Sequence, residues 1–100
     1  MEVAISRNRV PIRLPEERWF HITEEHSEMA GYYFEVLETI EAPDAIYEGV
    51  TGEYLAIREA NKGKYLVVIY REVSQEDGFV ITAFLCKRRG WIERRRKIWP

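Results

Sequence analysis

The sequence predicts a single α+β domain, residues 1–100, in which two N-terminal helices lead into a four-stranded antiparallel sheet. Apolar residues recur at helical spacing before Pro43, and after it they alternate with polar residues at the period of a β-strand. The chain is 46% hydrophobic, which suffices for 100 residues to form a core without disulfides, and Cys86 is its only cysteine. We therefore expect one compact domain with its helical layer first and its sheet second.

The first helix is predicted over residues 15–25. Residues 10–14 before it form an expected short edge strand, because Pro11 cannot donate a hydrogen bond to a neighbouring strand. Pro15 suits the first turn of a helix, and the two glutamates that follow it favour the positive end of the helix dipole. This helix is expected to turn Trp19 and Ile22 toward the core.

A second amphipathic helix is predicted over residues 31–41, ending before Pro43. Four apolar residues support it at the spacing i, i+3, i+4 and i+7, namely Tyr33, Val36, Leu37 and Ile40.

Four strands are predicted after Pro43, because β-branched and aromatic residues dominate there at a period of two. Short connections at 61–63 and 74–78 join the last three strands as hairpins. The predicted strands are 45–48, 53–60, 64–73 and 79–86.

These loop lengths predict that Arg58 lies opposite Leu66 and that Tyr70 lies opposite Thr82. One face of the sheet is then apolar and should receive both helices: Leu55, Ile57, Tyr65, Val67, Ile69, Phe79, Ile81, Ala83 and Leu85. The other face combines cations, phenols, a carboxylate and a hydroxyl and is the expected position of a site: Tyr54, Arg58, Lys64, Tyr70, Glu72, Thr82 and Cys86.

Charge is divided unevenly along the chain. Residues 1–57 carry 12 acidic and 4 basic side chains (−8), and residues 58–100 carry 5 acidic and 11 basic ones (+6). A basic C-terminal segment, 87–100, with Trp91 among its cations is typical of RNA binding, although a solvated face or a surface for an acidic protein fits the composition equally well. The expected RNA-binding residues are Lys64, Lys87, Arg88, Arg89, Arg94, Arg95, Arg96 and Lys97.

Several classes of protein are disfavoured by the sequence. His21 and His26 project about 140° apart on an ideal helix, so they do not form a paired metal site, and we expect neither a metal nor a cofactor. The sequence contains no apolar run of membrane-spanning length, and its N-terminal stretch has no apolar block of signal-peptide length, so we expect no secretory leader. A cytoplasmic protein is therefore expected, and its oligomeric state is left open.

The candidates for acid–base chemistry are the two histidines, because histidine titrates nearest to neutral pH. Each also has an ordinary structural interpretation. His21 follows two aromatic residues and could simply pack at the rim of the sheet, and His26 lies among glutamates and could be an exposed residue. Thr82 could equally be an ordinary strand threonine.

Two stretches of the chain resemble the small nucleases grouped with barnase, EndoU, colicin nucleases and RelE. The first is Ile12-Arg13-Leu14-Pro15-Glu16-Glu17-Arg18-Trp19-Phe20-His21-Ile22, followed by Glu25-His26-Ser27-Glu28-Met29. The second is Lys64-Tyr65-Leu66-Val67-Val68-Ile69-Tyr70-Arg71-Glu72 with Asp77-Gly78-Phe79-Val80-Ile81-Thr82-Ala83-Phe84.

The resemblance implies a metal-independent endoribonuclease acting on single-stranded or ribosome-bound RNA, of a kind that is often the toxin of a pair with an acidic antitoxin protein. His21 would take the proton of a ribose 2′-hydroxyl, and His26 or Tyr70 would protonate the leaving oxygen. Arg58 would hold the phosphate and Thr82 would orient it. The alternative is a non-catalytic module on the same fold that binds RNA or protein.

Overall fold

The computed structural model describes residues 2–100. Within these residues the chain forms seven strands, three helices and one 3₁₀ turn, Ser27–Met29. The helices are α1 (Glu16–Glu25), α2 (Tyr33–Glu41) and α3 (Gly90–Glu93). The strands are β1 (Glu2–Ile5), β2 (Pro11–Leu14), β3 (Ala45–Glu48), β4 (Tyr54–Asn61), β5 (Lys64–Glu72), β6 (Gly78–Cys86) and β7 (Lys97–Trp99).

The predicted fold class, two N-terminal helices followed by a four-stranded antiparallel sheet, is wrong. All seven described strands belong to one mixed sheet in the order β1-β2-β6-β5-β4-β3-β7. Strands β3 to β6 pair antiparallel in sequence order, but β2 pairs parallel to β6. Two strands, β1 and β2, precede the helices, and the short helix α3 and strand β7 follow β6.

The parallel pair brings together distant parts of the chain, with Ile12 opposite Gly78 and Arg13 opposite Phe79. Gly78 permits this contact because a Cβ there would lie 2.6 Å from the Ile12 side chain and from the Arg71 carbonyl oxygen. Pairing between such distant segments has no local sequence signal.

The predicted register is confirmed at one position and wrong at the other. Arg58 lies opposite Leu66. Thr82, however, lies opposite Ile69, and Tyr70 lies opposite Val80, because β6 contains one extra residue at this point. Because of this bulge, the residues of β6 that precede it lie on the opposite face from the one that simple alternation, counted back from Thr82, would give.

The two faces of the sheet are therefore occupied differently from the prediction. Cross-strand partners share a face. The face that carries Ala56, Leu66, Val68 and Tyr70, here called the helical face, packs against Ile22 of α1 and Val36 and Ile40 of α2. The predicted apolar face of β4 and β5 lies on the opposite side, here called the rear face, where Leu55, Ile57 and Val67 pack against Ile92 of α3.

This error has a physical cause, because strand β5 is hydrophobic on both sides. A strand that is covered on both faces has a continuous apolar sequence. The alternation of apolar and polar residues therefore does not reveal which face receives the larger helices.

The two ends of the sheet are tied to its centre and to each other by side chains from the turn between β1 and β2. Glu72 accepts hydrogen bonds from Ser6 Oγ at 2.6 Å and from Asn8 Nδ2 at 3.1 Å. The guanidinium of Arg7 lies 4.6 Å from the ring centre of Trp99 in β7. These contacts hold the N-terminal hairpin against the rest of the domain.

Candidate nucleic-acid interface

The rear face is only partly covered. Ile92 closes the side nearest β3 and β4, where it is fully buried with Tyr47 and Ile57. Beyond it, along β5 and β6, several side chains keep part of their surface in solvent because α3 has only four residues. We call these residues the open surface: Ile69, Phe79, Thr82 and Phe84.

Three aromatic rings from different elements meet beside the open surface. Phe84 of β6 stacks on Trp91 of α3, with ring centres 6.0 Å apart and planes at 28°. His26, which follows α1, lies on Phe84 with 5.6 Å between ring centres. The indole Nε1 of Trp91 donates a hydrogen bond to the Arg88 carbonyl oxygen at 3.0 Å, so its orientation is fixed. We call these rings the aromatic row.

Two exposed cations follow directly from the end of β6. Lys87 and Arg88 form no ion pair within the part of the chain that the structure describes. Lys64 borders a shallow cleft together with Lys87 and Cys86, and one carboxylate, that of Glu28, also lines it. Free cations next to partly exposed rings provide both charge and a stacking surface.

Arg89, predicted to bind RNA, has a structural partner instead. Its Nε lies 3.0 Å from Glu93 Oε2, and its guanidinium lies 5.1 Å from the ring centre of Tyr65. This side chain anchors α3 to the rear face and is already neutralised.

The remaining predicted RNA-binding residues lie at the other end of α3. Arg94 and Arg96 are exposed, and Arg95 is half-buried. The Lys97 ammonium lies 6.0 Å from the Tyr47 ring, because β7 pairs with β3. The basic segment therefore forms two groups of cations separated by α3.

Arg58, the predicted phosphate ligand, lies in a cleft of about 230 Å³ between α2 and the β4–β5 hairpin. Neither histidine lines this cleft. The Arg58 guanidinium instead has Glu38 Oε1 at 3.1 Å from its Nη1, with Glu35 and Glu59 also lining the cleft. Three carboxylates around one guanidinium make a poor environment for a phosphate.

His21 lies in a different cleft of about 340 Å³ at the edge of β6, with Glu17, Arg18 and Arg13. Arg13 is held by Asp77 through hydrogen bonds of 2.7 and 3.0 Å. The hydrogen bond from Arg13 lowers the pKa of the Asp77 carboxyl below its usual value. Among the described residues, Arg18 forms no ion pair, and its Nη1 donates a hydrogen bond to the backbone oxygen of Ile81 at 3.5 Å. Arg18 is therefore the available cation beside His21.

Tyr70 and Thr82 are not brought together as predicted. Tyr70 is 1% exposed on the helical face. Burial raises the pKa of its phenol far above the usual value, and the negative charge of the nearby Glu72 raises it further. Thr82 lies on the rear face, where its Oγ1 is buried without a hydrogen-bond partner among the described residues. Neither side chain can act with Arg58 on one phosphate.

Sequence reasoning missed the contribution of Phe84 to this surface. Trp91 had a visible signal, since it interrupts a run of cations. Phe84 had none, because the bulge in β6 decides which face it occupies. His26 was selected for its chemistry but contributes a ring to the aromatic row.

No known protein family, curated protein or solved structure matches this chain. Among residues 2–100, none of the helices has the length and apolar character needed to cross a bilayer. The described residues also contain no cluster of three or more histidine, cysteine or carboxylate side chains placed to hold a metal ion.

Proposed function

We propose that this protein binds single-stranded RNA with the aromatic row and the cations that follow β6. The observation that carries the proposal is the stack of Phe84 on Trp91, whose indole donates a hydrogen bond to the backbone of Arg88, next to the exposed Lys87 in the chain. A base that stacks on an aromatic ring gains about 1–3 kcal/mol, and each neutralised phosphate releases counterions.

The packing of α3 supports this proposal. Ile92 anchors the helix in the core of the rear face. Arg89 pairs with Glu93 of the same helix and lies over the Tyr65 ring of the sheet. Trp91 is consequently held in place before any ligand arrives, which reduces the ordering cost of binding. An acidic partner protein such as an antitoxin would compete with RNA for Lys87 and Arg88.

The location proposed for the protein is the cytoplasm. Its free cysteine, Cys86, suits that reducing compartment.

Binding without cleavage agrees better with the geometry than the predicted catalytic centre does. That centre required Arg58, Tyr70, Thr82 and a histidine around one phosphate. Arg58 lies in an acidic cleft, Tyr70 is buried and Thr82 occupies the opposite face of the sheet.

A second candidate function is metal-independent RNA cleavage in the cleft of His21. The observation that favours it is the presence of two titratable groups, Glu17 and His21, and the available cation Arg18 beside Phe79 of the open surface. In such a reaction the 2′-hydroxyl loses a proton as it attacks phosphorus, and the 5′-oxygen leaves with a proton, giving a 2′,3′-cyclic phosphate. This candidate retains the nuclease expectation but replaces Arg58 with Arg18.

Binding is tested by fluorescence polarisation with a labelled single-stranded RNA of mixed sequence. Trp91→Ala should weaken binding about tenfold, because it removes one stacking ring. The matched control is Phe34→Ala, which removes an exposed ring from α2 and should leave RNA affinity unchanged. Equal effects of both substitutions, or no RNA binding by the unaltered protein, would disprove the proposed interface.

Cleavage is tested with the same RNA in the presence of a chelator. His21→Ala and Arg18→Gln should each reduce product formation by about 100-fold or more, whereas Arg58→Gln should not. If the unaltered protein releases no cyclic phosphate from RNA that it binds, the second candidate is wrong and the binding proposal stands.

A further inference from the structure

The outer surface of α2 has a chemical character opposite to that of the aromatic row. Glu35, Glu38 and Glu41 are exposed along this helix. Phe34, near the start of the same helix, is 70% exposed, whereas the other large apolar side chains of α2 face the core. So exposed a ring contributes little to the packing of the domain.

Glu38 is a neighbour of both Phe34 and Glu35 on the helix surface, since residues three and four positions apart lie side by side. The ring of Phe34 meets Tyr33 edge-on, with ring centres 5.3 Å apart. Tyr33 in turn donates a hydrogen bond to the Leu14 carbonyl oxygen at 3.1 Å. The exposed ring is therefore supported by a side chain that is fixed to the sheet.

The cleft of Arg58 lies next to these side chains. Its walls contain Glu35, Glu38 and Glu59, and with Arg58 these give the cleft a net charge of −2. Its volume of about 230 Å³ is below the roughly 300–1,000 Å³ of most small-molecule pockets, which suits one long side chain. Ala60 and Leu66 provide an apolar lining for the methylene groups of such a chain.

Arg58 supplies a donor to the same cleft. Its Nη1 is shielded from solvent and lies 3.1 Å from Glu38 Oε1, but without the alignment of a hydrogen bond. An acceptor oxygen that enters the cleft would satisfy this donor. A peptide residue with a cationic side chain offers both groups, because its carbonyl oxygen accepts while its side chain meets the carboxylates.

We propose that the surface formed by Phe34, Glu35, Glu38 and the Arg58 cleft binds a basic segment of a partner protein. One lysine or arginine side chain of the partner enters the cleft, and an apolar side chain of the partner covers Phe34. The complementarity of charge selects this occupant, since the carboxylates repel RNA. This proposal is independent of RNA binding, which uses the other side of the sheet.

A second copy of the chain is a poorer occupant. Within residues 2–100, its own basic segment is partly engaged, because Arg89 pairs with Glu93 and β7 pairs with β3. The exposed cations at both ends of α3 lie on this folded segment rather than on a protruding tail.

The test is a titration of the protein with a short labelled peptide of arginine, lysine and leucine, followed by polarisation and by amide NMR shifts. The charge-reversed peptide and a peptide with serine in place of leucine serve as ligand controls. Glu35→Gln combined with Glu59→Gln should weaken binding about tenfold, and Phe34→Ala should weaken it by a similar factor. Glu24→Gln, an exposed carboxylate on α1, and Trp91→Ala should not change it.

The expected NMR shifts lie at Tyr32 and Asn61, which line the cleft, and at Gly63, whose amide donates a hydrogen bond to Glu59 Oε2. Each variant must retain the amide spectrum of a folded domain before its affinity is compared. Equal weakening by Glu24→Gln would mean that the peptide binds the acidic surface without a site, and binding of the charge-reversed peptide would overturn the charge argument. Self-association that is lost in Arg94→Gln and Arg96→Gln would assign the surface to a second copy and disprove a separate partner.

Discussion

The helical face and the rear face belong to the same strands but are covered to different extents. On the helical face, Leu66, Val68 and Tyr70 are at most 1% exposed beneath α1, α2 and the N-terminal hairpin. On the rear face, Ile69 and Phe84 remain partly exposed because α3 is too short to reach across the sheet. The closed face holds the domain together, which leaves the incompletely covered one available for a ligand.

The comparison is sharpest when one large aromatic side chain is removed from each face. Tyr70→Ala should lower the free energy of unfolding by about 3–5 kcal/mol, because it leaves a cavity in the closed core. Phe79→Ala, on the open surface, should lower it by less than about 1.5 kcal/mol. Urea denaturation of both variants measures the difference, and similar losses would mean that the rear face is as tightly packed as the helical face.

A smaller loss is expected from Ile92, which connects α3 to the rear core. Ile92→Ala should destabilise the domain by about 2–4 kcal/mol, because this side chain is fully buried. It should also weaken RNA binding, since the position of Trp91 depends on the same helix. A variant that loses stability but keeps full RNA affinity would separate α3 from the interface.

The two groups of cations at the ends of α3 can be distinguished by salt dependence. Replacing Lys87 and Arg88 with Gln should reduce the slope of log affinity against log salt by about 1.4, because each contact with a single-stranded phosphate contributes about 0.7. The same change at Arg94 and Arg96 should have a smaller effect. A larger effect at Arg94 and Arg96 would move the RNA to the β3 edge of the sheet.

The smallest effect concerns Asp77, whose pKa is lowered from 3.8 by its hydrogen bond with Arg13. A carboxyl with a lowered pKa in the folded state contributes stability above its unfolded pKa, and this contribution is lost as the pH falls through the folded pKa. Asp77→Asn should therefore cost a little stability near pH 6 and progressively less below pH about 4. Urea denaturation of Asp77→Asn and of the unaltered protein measures this from about pH 6 to below about pH 4. A difference in unfolding free energy that stays constant with pH would contradict the Arg13–Asp77 pair.

The local elements were more accessible to sequence reasoning than their arrangement. The positions of α1, α2 and β3 to β6 follow from periodicity and turn residues, and the Arg58–Leu66 register follows from a short hairpin. Strand β7 has three residues and α3 has four, which is too short for a periodic signal. The parallel pairing of β2 and the bulge in β6 depend on tertiary contacts.

The candidate site divides in the same way. Trp91 among cations is visible in the sequence, because stacking and charge are properties of residue types. The environment of Arg58 is not visible in the sequence. Glu38, its ion-pair partner, lies on α2, which is separated along the chain from β4 by strand β3. Composition therefore predicts the chemistry of a surface better than it predicts which side chains share one.

The parallel pairing of β2 with β6 also determines the order in which the domain can fold. Ile12 and Arg13 emerge early during synthesis but meet their partners, Gly78 and Phe79, only when most of the chain is available. Closing so long a loop is slow, because its entropy must be lost before the new contacts form. We therefore expect the pairing of β2 with the rest of the sheet to wait for β6, and a chain interrupted before β6 to leave the apolar side chains of β2 exposed, which favours aggregation.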